Sequence, residues 1–281
     1  MRNLDEATIT QAVLARHSST ADARLCEVMT SLVQHLHAFA RDIKLTEEEW
    51  RGGIAFLEQV GKACSSDRQE FVLLSHTLGL STLVLAQNDR KPTGCTEATA
   101  FDMPQTRNTT MYDLGADISA GLHGAKGYMS GTIRDAKGNP VPHAAIQVSQ
   151  PGSDVHNPVA NDTDHALLQS DPLGRYFFST VVPQSHRVLH DGPVGSMLTA
   201  LNRHAWRPAH LKFVISAPGY KRLVTHVFRE GDPYLDSDAL FGVRSSLITH
   251  WAQQPPGETP DGTVSNDPFY TLAFDFCLAK E

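Results

Sequence analysis

From Thr20 onward the chain repeats Leu25, Val28, Met29, Leu32, Val33, Leu36 and Phe39 at three- and four-residue spacing. That spacing lays one apolar stripe along a long amphipathic helix. The string Thr46-Glu47-Glu48-Glu49 is a capping box: the Thr46 hydroxyl and the Glu49 carboxylate satisfy exposed amides before Trp50, Ile54 and Leu57 build the next stripe. Gly61 is the expected stop. A third apolar segment, Phe71 to Leu85, is broken by Gly79 and leads into the turn-rich NDRKPTG. After about residue 104 the pattern changes to short β-prone runs (MSGTIRDAKGNP, AAIQV, GRYFFSTVV, HLKFVISAPGY, RLVTHVF) separated by Gly, Pro, Asn and Asp. Helix returns only near Val194–Leu201. The expected architecture is therefore α+β: a helical domain over residues 1–104, then an all-β sandwich over 105–281.

A chain of 281 residues, 41% hydrophobic and 20% charged, buries a sizeable core. Its 24 basic and 31 acidic residues give a net charge of −7, with no Lys/Arg block suited to a phosphate backbone, which argues against nucleic acid. The opening MRNLDEATIT lacks a secretory pattern, and no apolar run reaches membrane-spanning length. No membrane insertion is expected, and the cytoplasm is the expected location. Cys26, Cys64, Cys95 and Cys277 have no CxxC spacing, so reduced thiols are the default. The 14 histidines exceed ordinary usage and crowd the second half, which directs attention to metal or acid/base chemistry.

Several long strings in that half carry a resemblance. GTIRDAKGNPVPHAAIQV, HDGPVG, RHAWRPAHLKF, SAPGY and THVFREGDPYLDSDALFGVRSSL resemble the intradiol ring-cleavage dioxygenases, most closely hydroxyquinol and catechol 1,2-dioxygenases. LVQHLHAFARDIKLTEEEW and RQEFVLLSHTLGLSTLV resemble the helical part of the same group, so the likeness runs from about residue 20 to 250. The resemblance implies a homodimer joined through the helical domain and a sandwich of the intradiol dioxygenase type. It also implies a non-haem Fe(III), held by two tyrosinates and two histidines, that activates a catecholate toward dioxygen.

Aligned on those motifs, the ligand positions read differently. VSQPGSDVHN puts Asn157 at the first tyrosine, VPQSHRVLHDGPVG puts His186 at the second, and AHLKF keeps His210 but supplies Lys212 for the second histidine. A protonated ammonium has no lone pair for iron. The motif reading therefore expects the Fe(III) ligand set not to be retained and no cofactor to be present; a rewired metal centre would draw on His156, His186 and His210. Arg207 stands where the family arginine meets the aromatic substrate. His76 and His226 stand near the substrate pocket, with Asn157 facing it.

Three functions are expected as alternatives. The first is metal-independent acid/base chemistry on a polyhydroxylated aromatic (cyclisation, isomerisation or dehydration), with Arg207 binding an oxyanion and Lys212, His210 or His186 moving protons. The second is a metal-dependent catechol or hydroxyquinol 1,2-dioxygenase with a rewired site. The third is a non-catalytic aromatic-binding homologue.

Overall fold

A computed structural model of the chain describes residues 3–281 except 18, 67, 102–108, 120, 121 and 151–164. The described residues form helices α1 (Ile9–His17), α2 (Ala23–Asp42), α3 (Glu47–Ala63), α4 (Glu70–Thr77), α5 (Leu80–Asn88) and α6 (Pro193–Ala200). The strands are β1 (Thr109–Met111), β2 (Lys126–Asp135), β3 (Ala145–Ser149), β4 (His165–Gln169), β5 (Arg175–Val181), β6 (His186–Arg187), β7 (Trp206–Arg207), β8 (His210–Ser216), β9 (Leu223–Arg229), β10 (Ile248–Thr249), β11 (Ala252–Gln254), β12 (Gly257–Glu258), β13 (Val264–Ser265), β14 (Phe269–Ala273) and β15 (Phe276–Leu278). The α+β expectation holds.

The chain divides into two compact units, Met1–Gln59 and Val60–Glu281. Helices α4 and α5 fall in the same unit as the strands. The boundary expected at 104/105 marks the change from helical to β pattern and lies outside the described residues.

In the first unit, Asp22 caps α2 by accepting the Leu25 amide at 3.0 Å. The capping box is formed: Glu49 accepts the Thr46 amide at 2.9 Å, and Thr46 Oγ1 accepts the Glu49 amide at 3.2 Å. No residue of α2 is buried. Its apolar stripe stands open to solvent with that of α3: Leu36, Phe39 and Trp50 are 54, 53 and 55% exposed. The α3 helix continues two residues past the expected stop at Gly61. A terminating glycine takes a left-handed φ, and Gly61 is not among the positive-φ glycines, whereas Gly79 (φ 73°) is and does separate α4 from α5.

In the second unit, one sheet has the order β1-β4-β3-β8-β9-β10 and the other β11-β14-β2-β15, with β5 paired to β2. Their facing sides share one core. Ile146, Leu168, Leu211, Phe213, Ile215 and Val227 of the first sheet pack in one cluster with Met129, Ile133, Tyr176, Phe178, Leu272 and Phe276 of the second. Phe213 is fully buried, its ring centroid 4.9 Å from that of Phe276. Because side chains alternate along a strand, Leu211, Phe213 and Ile215 serve the core, and His210 and Lys212 take the opposite face. On β9 the same alternation gives Leu223 and Val227 to the core and His226 and Phe228 to the outer side. That outer face carries the candidate site residues.

Candidate functional site

Strands β8 and β9 pair so that His210 lies opposite Phe228 and Lys212 opposite His226. The short β6–β7 ladder sets His186 opposite Arg207. These two pairings bring together residues that lie far apart in sequence. The His186 and His210 rings are 5.0 Å apart between centroids, and His210 and His226 are 4.7 Å apart and perpendicular. Phe228 closes one side, 5.4 Å from His210.

Arg207 is the charge at the centre of this cluster. Its Nε donates to Asp238 Oδ1 at 3.0 Å and its Nη2 to Asp238 Oδ2 at 3.2 Å, a two-point pair with both side chains buried. The remaining Nη1 faces His210 Nε2 at 3.5 Å. Asp238 also accepts the backbone N–H of Leu240 at 3.2 Å and of Gly242 at 2.9 Å. A Cβ at Gly242 would come within 3.0 Å of Arg207 Nη2 and 3.2 Å of Asp238 Oδ2, so a larger side chain would crowd the pair.

The electrostatics are set by burial beside one cation. Desolvation first, and the Arg207 charge second, push His186 down to about 3. The same two causes hold His210 and His226 well below the usual histidine range. Burial alone would raise the Asp238 carboxyl; the Arg207 charge and the hydrogen bonds outweigh it and lower it. The site is one guanidinium–carboxylate pair surrounded by neutral imidazoles. The tautomer of His210 is fixed, because its Nδ1 lies 2.8 Å from the Pro208 carbonyl, which only accepts; Nε2 therefore keeps its lone pair. Among the described residues His186 Nδ1, which is buried, has no hydrogen-bond partner.

Of the residues singled out from sequence, His186, His210, His226 and Arg207 are brought together, and Lys212 shares their sheet face, partly buried. His76 is held below its usual pKa by burial and by the charges of Arg207 and Lys212. It also lines an apolar pocket of about 360 Å³ with Phe71, Leu80 and Phe101. Asn157 and His156 lie outside the described residues. Two participants escaped the sequence reading. Asp238 was one of three aspartates in DPYLDSD, and spacing alone could not select it. Thr99, whose Oγ1 lies 2.6 Å from His226 Nδ1, comes from the segment after α5 and carried no motif signal.

Known proteins give this geometry its context. Residues 22–96 match the family model described as catechol dioxygenase N terminus, and residues 102–280 match the one described as dioxygenase. The chain is 46% identical to the 6-chlorohydroxyquinol 1,2-dioxygenase of Cupriavidus pinatubonensis, with 99% of each chain covered. It is 42% identical to the hydroxyquinol 1,2-dioxygenase of Nocardioides simplex over 98% of this chain and 95% of that one. The crystal structure of a hydroxyquinol 1,2-dioxygenase from Pseudomonas putida superposes with a TM-score of 0.89 at 38% identity, covering 98% of this chain and 99% of the other.

These relatives correct the expectation that no cofactor is present: hydroxyquinol 1,2-dioxygenases are Fe(III) enzymes. Two imidazoles have the chemistry to ligate a metal ion: His186, whose buried Nδ1 has no partner among the described residues, and His210, whose Nε2 lone pair is met only by Arg207 Nη1 at 3.5 Å. The Lys212 ammonium does not fit, and among the described residues no group of three or more His, Cys, Asp or Glu is disposed to hold a metal ion.

Two outcomes are expected from this arrangement. Asp238→Asn, which strands the Arg207 charge, lowers unfolding free energy by about 3–5 kcal/mol, and the Arg207→Met/Asp238→Leu double variant recovers most of it; urea denaturation of the wild type and these two variants measures this. Stability also depends on pH with a definite sign. The depressed imidazoles bind protons in the unfolded chain below about pH 6.5 and refuse them in the folded one until about pH 3 for His186. Their stabilisation is complete above pH 6.5 and is lost as pH falls through that window. Replacing His210 by Gln makes the loss shallower by about 1.4 kcal/mol per pH unit.

Proposed function

We propose, starting from the fact that the chain belongs to the intradiol ring-cleavage dioxygenase family, that it is a metal-dependent 1,2-dioxygenase for hydroxyquinol-class aromatics. The observation that carries this reading is the buried Arg207, locked by Asp238 on two sides with Nη1 turned toward His210 and the neutral imidazoles. It is supported by relatives named for hydroxyquinol and 6-chlorohydroxyquinol at 42 and 46% identity. The reading as metal-independent cyclisation, isomerisation or dehydration finds no support in those relatives.

His186 and His210 would hold the metal. When bound, Fe(III) supplies the activation of a catecholate toward dioxygen that ring cleavage requires. The chain's own contribution is orientation and charge. Arg207 offers Nη1 to an anionic substrate oxygen, and Asp238 prevents the guanidinium from turning away. Burial of Arg207, His210 and His226 excludes water, so that a hydrogen bond from Nη1 is little screened. Lys212 adds a second cation on the same face, suited to a substrate with several ionisable hydroxyls. Ring cleavage is tested by dioxygen uptake from iron-supplemented protein. Hydroxyquinol or its chlorinated form is expected to consume dioxygen mole for mole, with both oxygen atoms recovered in a ring-opened dicarboxylate. Arg207→Met is expected to lower kcat/KM by about two orders of magnitude. Tight hydroxyquinol binding without oxygen uptake would sink ring cleavage and favour an aromatic-binding homologue.

The functional unit is a homodimer joined through the open stripes of α2 and α3. Leaving Leu36, Phe39 and Trp50 half exposed forfeits the burial that a second copy restores. Light scattering at micromolar concentration should give twice the 30.7 kDa chain mass, and Leu36→Glu/Phe39→Glu should give the single-chain mass with helix content kept. A wild-type mass of one chain would refute the dimer.

A further inference from the structure

The dioxygenase reading leaves the cysteines unused, and two of them meet. Cys95, in the segment after α5, and Cys277, in the middle of β15, bring their Sγ atoms to 3.5 Å. The approach is held by backbone. The Thr96 amide donates to the Cys277 carbonyl at 3.0 Å, and the Cys277 amide donates to Thr96 Oγ1 at 2.8 Å. The segment is docked beyond them as well, since Glu97 O accepts from Thr225 Oγ1 at 2.7 Å and the Thr99 amide donates to Val224 O at 3.0 Å. The same few residues therefore run from the thiol pair to Thr99 on His226 and to Phe101 in the pocket wall beside His76.

We propose that Cys95 and Cys277 form a dithiol site that a hydroperoxide closes to an intramolecular disulfide, clamping the segment that carries Thr99 onto β15. A disulfide needs Sγ atoms about 2.0 Å apart, so rotation of the two side chains closes the gap while the paired backbone stays in place. The chemistry balances in two steps. One thiol attacks the peroxide, taking one oxygen to become a sulfenic acid and releasing water from hydrogen peroxide. The second thiol then attacks the sulfenic sulfur, forming the S–S bond and releasing a second water; the dithiol is oxidised by two electrons and the peroxide is reduced. Burial and the neighbouring thiol push Cys277 up to about 11. Whichever thiol takes the oxygen, its partner lies 3.5 Å away and resolves it.

The test treats the full-length protein with hydrogen peroxide, alkylates remaining thiols under denaturing, non-reducing conditions, and maps peptides by mass spectrometry. The expected result is a Cys95–Cys277 linked peptide that dithiothreitol dissolves, with Cys26 and Cys64 still alkylated. Because the link closes most of the second unit's chain, Tm of the oxidised wild type should rise by on the order of 10 °C, and Cys277→Ser should show neither link nor rise. Accumulation of sulfinic acid at Cys95 or Cys277 without the linked peptide would overturn the proposal, as would linkage to Cys26 or Cys64 in comparable yield. The readout involves no ring cleavage, so it stands or falls independently of the activity.

Discussion

The Arg207–Asp238 pair is the interaction on which the site depends. A guanidinium removed from water costs several kcal/mol unless it is paired and hydrogen-bonded, and Asp238 meets that need from two directions while two backbone amides meet the carboxylate's own. The pair fixes more than itself. Burial first, and the fixed Arg207 cation second, keep the imidazoles around it from protonating, and so His186 and His210 stay neutral at any ordinary pH. The loop that delivers Asp238 is anchored independently by Asp232, which accepts from Ser185 Oγ at 2.6 Å and from the Ala209 amide at 2.9 Å. Those contacts tie the loop to the residues flanking His186 and His210. Pair, loop and imidazoles therefore form one polar structure, in which loss of any member loosens the others.

Division of labour between the two faces of one sheet makes such a polar structure tolerable. The inner sides of β8 and β9 give Leu211, Phe213, Ile215 and Val227 to a dry core that carries the stability. The outer sides give His210, Lys212, His226 and Phe228 to the site. A period of two accomplishes the separation within a few residues. The polar cluster thus needs no cavity in the core, only cover from the β6–β7 ladder and the loop behind it.

How much of this was legible in the sequence depended on distance along the chain. The stripe from Leu25 to Phe39, the break at Gly79 and the β-prone runs of the second half are local signals, set by periodicity and by glycine's freedom at positive φ, and each appears where expected. Gly61 misled because a glycine ends a helix only when the backbone turns left-handed there, and at Gly61 the helix runs on through Lys62 and Ala63 instead. The convergence of His186, His210 and Arg207 could be read from motif order. The choice of Asp238 over Asp232 and Asp236, and the reach of Thr99 across to His226, could not: both are set by tertiary approach and leave no local pattern. The cofactor expectation failed for a related reason. It counted ligand positions one at a time, whereas identity of 42–46% along nearly the whole chain to 1,2-dioxygenases weighs every position together.

The buried Nδ1 of His186, without a partner among the described residues, bears on the chemistry of the site. A buried nitrogen left without a partner costs about 1–3 kcal/mol, and folds keep such a group only where something outside the chain satisfies it or where the strain is used. Here the ring is neutral, so the nitrogen cannot recover that cost by taking a proton and pairing with Asp238. Its neighbour His210 has its own Nδ1 committed to Pro208 and presents the opposite nitrogen with its lone pair. The two rings lie 5.0 Å apart beside a fixed positive charge, a setting that favours an anionic partner. An aromatic diolate would be such a partner: its negative charge would offset Arg207, and His186 and His210 would be the residues to hold a metal beside it. On this physical ground the positive charge of Arg207 and Lys212 favours a ligand that brings negative charge of its own.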